Sequence, residues 1–82
     1  MGNREDDKLV MKEFIDIARE HQYSDDMIFN IGMVCGSEQM YDKGYTLIQA
    51  FRKAIDFVLN GKNAIQTMEE ILKMSGYDVS NH

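Results

Sequence analysis

Apolar residues recur at helical spacing along almost the whole of this chain, and no proline interrupts them. Valine and isoleucine follow this helical spacing and do not alternate with polar residues, as they would in a half-buried strand. Proline breaks or kinks a helix, so its absence leaves no forced break in any of these segments. The pattern therefore predicts an all-α protein.

The length of the chain limits the size of the fold. A chain of 82 residues has room for one domain, assigned here to residues 1–82, with polar tails at about residues 1–5 and 77–82. Because a chain this short buries only about 60 to 65% of its unfolded surface, its core is small. We expect a bundle of about four helices.

The second predicted helix is set off from the first by a clear helix-start signal. The first runs from about Asp6 to His21 and is amphipathic. Before the second, Ser24 can cap free backbone N–H groups, and Asp25 and Asp26 complement the helix dipole in the first turn. Gly36 is its predicted end.

The third helix is predicted to be the central one, because its apolar face, widened to roughly 200° by Ile48, Phe57 and Leu59, is the widest in the chain. Two positions are possible for the start of this helix. Thr46 with Gln49 forms a capping-box pattern, which favours a start near residue 46. A cap at Ser37 gives instead one long helix over about residues 38–60, with Gly44 inside it, and this is the version we favour.

The last helix is predicted to open at Asn63, with Gln66 completing a second capping-box pattern, and to end at Gly76. Its predicted apolar face consists of Ala64, Ile65, Met68, Ile71 and Leu72.

Charge and cysteine content exclude several classes of function. Fourteen acidic and nine basic residues give a net charge of −5, which argues against binding to nucleic acid phosphates. The charge also fits a protein partner with a basic surface, although solubility is its simpler explanation. With one cysteine, Cys35, no disulfide can form within the chain, which favours a reducing, cytoplasmic location. The residues match no catalytic, metal or cofactor motif, and no segment has the length of a membrane span. We therefore expect a non-enzymatic protein.

Residues 14–33 partly match a helix-turn-helix. Ala18, Ile28 and Ile31 stand at the spacings that this motif requires, but Gln22 occupies the turn position where glycine is usual. The helix that would read DNA opens with the acidic pair Asp25 and Asp26 and carries no Arg or Lys. A DNA-binding regulator is therefore the alternative interpretation and not the preferred one.

The second helix is apolar on more than one side. Phe29 and Met33 lie opposite its main apolar face, with Gly32 and Gly36 between the two arcs. An uncovered apolar patch of this kind marks an interface, and a symmetric homo-oligomer, most simply a dimer, would cover it. The candidate interface residues are Phe29, Met33, Gly32, Gly36, Asp25 and Asp26.

The preferred interpretation is an interaction module that self-associates and binds a partner protein. One concrete version is a small inhibitor that blocks a basic nucleic-acid-binding surface. A further alternative is a small ligand held between protomers, with Tyr41, Tyr45 and Arg52 as its contacts. Cys35 and His21 are assigned structural positions, the thiol as a small buried apolar group and the imidazole as a partly buried helix end.

Overall fold

The computed structural model describes residues 4–77 of the chain, and within this range it is an all-α bundle. Its five helices are α1 (Arg4–Glu20), α2 (Asp25–Cys35), α3 (Glu38–Asp42), α4 (Leu47–Leu59) and α5 (Ala64–Met74). Because α1 begins at Arg4, residues 4 and 5 belong to the helix and not to the predicted tail. The other predicted tail residues before Arg4 and after Tyr77 lie outside the described residues.

The predicted long helix over residues 38–60 is wrong, and the shorter alternative is found. The break follows α3, where Gly44 has a φ of +96°, a left-handed conformation that glycine adopts without steric cost. The chain then restarts at Thr46, whose Oγ1 accepts the backbone N–H of Gln49 at 3.1 Å, while Gln49 Oε1 accepts the backbone N–H of Thr46 at 2.9 Å. This capping box gives the bundle five helices where about four were predicted.

The predicted starts of α2 and α5 are confirmed by hydrogen bonds. Ser24 Oγ accepts the backbone N–H of Met27 at 3.2 Å. Asn63 Oδ1 accepts the backbone N–H of Gln66 at 2.8 Å, and Gln66 Oε1 accepts the backbone N–H of Asn63 at 2.9 Å. At the other end of α2, Gly36 is the cap, as predicted. These helix ends depend on residues within four positions of each other, which is why the sequence predicts them well.

Helix α4 lies at the centre of the bundle and contacts α1, α2 and α5. Helix α1 packs mainly on α4, and α2 packs mainly on α5. Their shared core is apolar and includes two aromatic rings, those of Phe14 and Phe51, whose centroids are 5.5 Å apart at an interplanar angle of 56°. The largest fully buried side chains are those of Phe14, Ile31, Met40, Ile71, Val58, Thr67 and Cys35.

Three predicted burial assignments are wrong. Ile65, placed on the apolar face of α5, is exposed, and Thr67 is fully buried on that helix. Leu59, placed at the edge of the apolar face of α4, is also exposed. His21 is exposed rather than partly buried. Its Nδ1 donates to the backbone carbonyl of Ile17, four residues earlier in the chain, at 2.9 Å.

Candidate functional site

An apolar groove of about 520 Å³ lies between α1 and α2. The two helices make few contacts with each other, because each packs mainly on a different partner in the bundle. Between them, the rings of Phe14 and Phe51 and the side chain of Ile28 form the floor, and all three are buried. The groove is therefore a gap between two helices over a solid apolar core.

The walls of the groove are also apolar. On the α1 side stand Met11 and Ile15, and on the α2 side stand Phe29, Gly32 and Met33. The exposed fractions are 66% for Phe29 and 59% for Met33, which are high values for large apolar side chains. Together with the groove, they form one continuous apolar surface on this face of the molecule.

An ion pair closes the end of the groove next to the α1–α2 turn. The Arg19 Nε lies 3.4 Å from Asp25 Oδ1, so it joins the last turn of α1 to the first turn of α2. Both side chains are well exposed, so the pair contributes little to stability. It nevertheless places one positive and one negative charge at this end of an otherwise apolar groove.

Gly32 keeps the α2 wall low. A Cβ atom at this position would lie 3.7 Å from Cζ of Phe51, an ordinary van der Waals distance. The core therefore does not demand a glycine here. Because Gly32 has no side chain, the backbone of α2 is accessible between Phe29 and Met33, where another helix could approach closely.

Four of the six predicted interface residues line this groove, namely Phe29, Gly32, Met33 and Asp25. Gly36 lies apart from it at the exposed end of α2, where a Cβ would be 3.9 Å from Cδ1 of Leu47. Asp26 is exposed and is not part of the groove lining. Sequence reasoning named the α2 wall but did not assign Met11, Ile15 or the phenylalanine floor to a site.

The residues predicted to contact a small ligand are only partly brought together. Tyr45 and Arg52 line a shallow depression of about 320 Å³ at the start of α4, together with Gln49 and Lys53. Tyr41 is not among the lining residues and is 73% exposed on α3. The break at residues 43–46 separates α3 from α4, so these two tyrosines do not share one helix face.

The α1–α2 unit resembles a helix-turn-helix in two respects. Gln22, at the turn position, has a φ of 70°, the left-handed conformation for which glycine is usual. Ala18, Ile28 and Ile31 are buried, as that motif requires. The first turn of α2 is nevertheless acidic, so the surface that would meet DNA carries the wrong charge.

Cys35 and His21 do not form a reactive pair. Burial raises the pKa of the Cys35 thiol to about 12, so it stays protonated and unreactive at neutral pH. His21 precedes α2 and Cys35 ends it, and a helix of 11 residues separates them by about 15 Å. Across residues 4–77, no three His, Cys, Asp or Glu side chains are grouped in a way that could hold a metal ion.

Two further observations concern membrane spanning and similarity to known proteins. No helix in the part of the chain that the structure describes has the length and apolar character needed to cross a bilayer. Neither a protein family, nor a curated protein, nor a solved structure shows a significant match to the chain. The groove and its surroundings therefore carry the functional argument by themselves.

Proposed function

We propose that this chain is a protein-interaction domain that self-associates through the α1–α2 groove and acts by binding a partner protein, without catalysis. One observation carries the proposal: Phe29 and Met33 stand exposed beside an apolar groove that the rest of the described chain leaves open. Contiguous apolar surface of this kind is characteristic of protein contacts, and a groove between helices suits an amphipathic helix. A second copy supplies such a helix in α2 itself.

The mass of the protein in solution tests self-association directly. We expect light scattering after size exclusion to give a dimer for the wild type, with dissociation on dilution. Phe29→Asp is expected to give a folded monomer, because a carboxylate cannot be buried in an apolar contact without a large cost. Circular dichroism and the unfolding midpoint establish that the variant is folded.

Leu59→Asp is the matched control. Leu59 is 59% exposed, similar to Met33, but it lies at the end of α4 and does not line the groove. The control should remain a dimer. A wild type that is monomeric at every concentration, or a Leu59→Asp variant that dissociates as Phe29→Asp does, would contradict the proposal.

The proposed binding to a partner protein rests on the charge of the chain. A net charge of −5 favours association with a basic protein surface, and an inhibitor that occupies the nucleic-acid-binding surface of another protein is the concrete version. Asp25 and Asp26 are the proposed contacts. Neutralising both as Asp25→Asn and Asp26→Asn is expected to weaken binding to such a partner, and unchanged binding would count against these contacts.

A DNA-binding regulator is the second candidate, and the left-handed turn at Gln22 is the observation that favours it. The acidic first turn of α2 is the observation against it. A mobility shift with duplex DNA at low salt distinguishes the two. A shift that disappears as salt rises would support this candidate, and no shift at low salt would exclude it.

A further inference from the structure

Two apolar residues, flanked at each end by a basic residue, follow one another along the groove side of α1. Lys8, Met11, Ile15 and Arg19 follow one another at intervals of three, four and four residues, so they share one side of the helix. Three of them, Met11, Ile15 and Arg19, line the groove. The exposed side chain of Lys8 therefore lies one turn beyond Met11, at the end of the groove farthest from the α1–α2 turn.

The two walls of the groove run in opposite directions. Near the turn, Arg19 of α1 pairs with Asp25 of α2. At the far end, Met11 and Met33 line the groove together. Since the chain passes up α1 and returns along α2, a third helix laid antiparallel to α2 in this groove would be parallel to α1.

We infer that the groove receives α2 of a second copy, in a twofold arrangement that places Asp25 of each copy beside Lys8 of the other. This inference rests on the proposed self-association. In a twofold dimer the two α2 helices cross antiparallel, and Phe29 of the second copy meets Met11 and Met33 of the first. Asp25 lies one turn before Phe29 on α2 of the second copy, and Lys8 lies one turn before Met11 on α1 of the first copy.

The match in spacing favours a second copy as the occupant. Asp25 precedes Phe29 by four residues and Lys8 precedes Met11 by three, so both steps are about one helical turn. The apolar contact and the charge contact are therefore satisfied in the same register. A parallel arrangement of the two α2 helices would instead bring the two Asp25 carboxylates towards each other, which is unfavourable.

Exchanging the two charges tests the register. In the homodimer of Lys8→Glu, each Asp25 faces a carboxylate at position 8 of the other copy. In the homodimer of Asp25→Lys, each Lys8 faces an ammonium group at position 25 of the other copy. We expect each variant alone to dimerise about tenfold more weakly than the wild type at low salt, since two exposed ion pairs become repulsive contacts. Mixed in equal amounts, the variants should form a heterodimer about as tight as the wild type, because one contact is then the original Lys8–Asp25 pair and the other is an attractive pair with its signs exchanged.

Lys53→Glu is the matched control, since it changes the net charge by the same amount at an exposed position on α4 outside the groove. It should leave the dimer unchanged. If the wild type dimerises but Lys8→Glu and Asp25→Lys dimerise equally well, or if mixing restores nothing, the register is overturned while self-association stands. A monomeric wild type overturns both, and it is recognised from the wild type alone.

Discussion

The hydroxyl groups of Tyr23 and Thr67 lie 2.8 Å apart inside the bundle, although 44 positions separate them in the sequence. The Tyr23 hydroxyl donates its proton to the backbone carbonyl of Lys62 at 2.6 Å, so the Thr67 hydroxyl donates to the Tyr23 oxygen. These two bonds tie the α1–α2 turn, which sets one end of the groove, to the beginning of α5. Burial raises the pKa of Tyr23, and its hydrogen bond with Thr67 partly offsets that rise.

Removing the Tyr23 hydroxyl should destabilise the fold without changing its shape. We expect Tyr23→Phe to lower the free energy of unfolding by about 1–3 kcal/mol, because the Thr67 hydroxyl and the Lys62 carbonyl lose a partner in a buried setting. Urea unfolding followed by circular dichroism measures the change. Tyr41→Phe, at a side chain that is 73% exposed, is the control and should match the wild type. Equal stability of all three proteins would contradict this account.

Ionisation of the Cys35 thiol should lower the free energy of unfolding in alkaline solution. Burial raises the pKa of its thiol from 9.0 to about 12, so between these values the folded chain keeps a proton that the unfolded chain releases. The stabilisation is complete below pH 9 and is lost as pH rises towards 12, by roughly 1.4 kcal/mol for each pH unit in that window.

Cys35→Ala isolates this contribution. Its free energy of unfolding should be lower than that of the wild type at pH 8, because the buried sulfur no longer fills its space, but it should fall less steeply between pH 9 and 10.5. Tyr23 adds a decline of its own above pH 10 in both proteins. Identical slopes for the two proteins below pH 10 would show that Cys35 does not titrate as its burial requires.

The break between α3 and α4 should depend on glycine at position 44. Gly44→Ala is expected to cost about 1–2 kcal/mol, because an alanine at a φ of +96° brings its Cβ against the backbone. Thermal or urea unfolding measures the cost. Nothing surrounds a Cβ at this position within 4 Å, so the effect would come from the backbone and not from a clash with a neighbour.

Gly32→Ala is the matched substitution with the opposite expected sign. This glycine is inside α2, and its new Cβ meets only Phe51 at an ordinary distance, so alanine should stabilise the monomer by about 0.5–1 kcal/mol. If both variants are destabilised to the same extent, the conformation at residue 44 is not the cause.

The ion pair at the groove end should contribute little to the stability of the monomer. Arg19→Gln is expected to change the free energy of unfolding by less than about 1 kcal/mol, because the Arg19 and Asp25 side chains are 62% and 81% exposed. The comparison is urea unfolding at low and high salt, at concentrations where the protein is monomeric. A larger, salt-dependent loss would mean that the pair holds the α1–α2 turn together.

The local chemistry of the chain predicts helix ends well and helix continuity poorly. Thr46 with Gln49, and Asn63 with Gln66, are recognisable because each pair lies within one turn. The stretch between Ser37 and Thr46 is ambiguous, since a cap at either end fits the pattern. The conformation of Gly44 decides between them, and the sequence allows glycine to be either helical or left-handed.

The groove shows the same limit at the tertiary level. Helical spacing alone places Phe29 and Met33 away from the main apolar face of α2, and both are exposed. The opposite wall at Met11 and the floor at Phe51 depend on the angle between α1 and α2. That angle follows from the packing of each helix on a different partner, which no single segment encodes.

The pairing of helices in this bundle has a consequence for how the chain acquires its structure. Helix α1 finds its main partner in α4, and α2 finds its main partner in α5, so the two pairs interleave along the sequence. Neither pair is complete while the polypeptide is only half synthesised. The core can therefore close only after α5 has been synthesised, and a fragment that ends before residue 43 would lack the main packing partner of both α1 and α2.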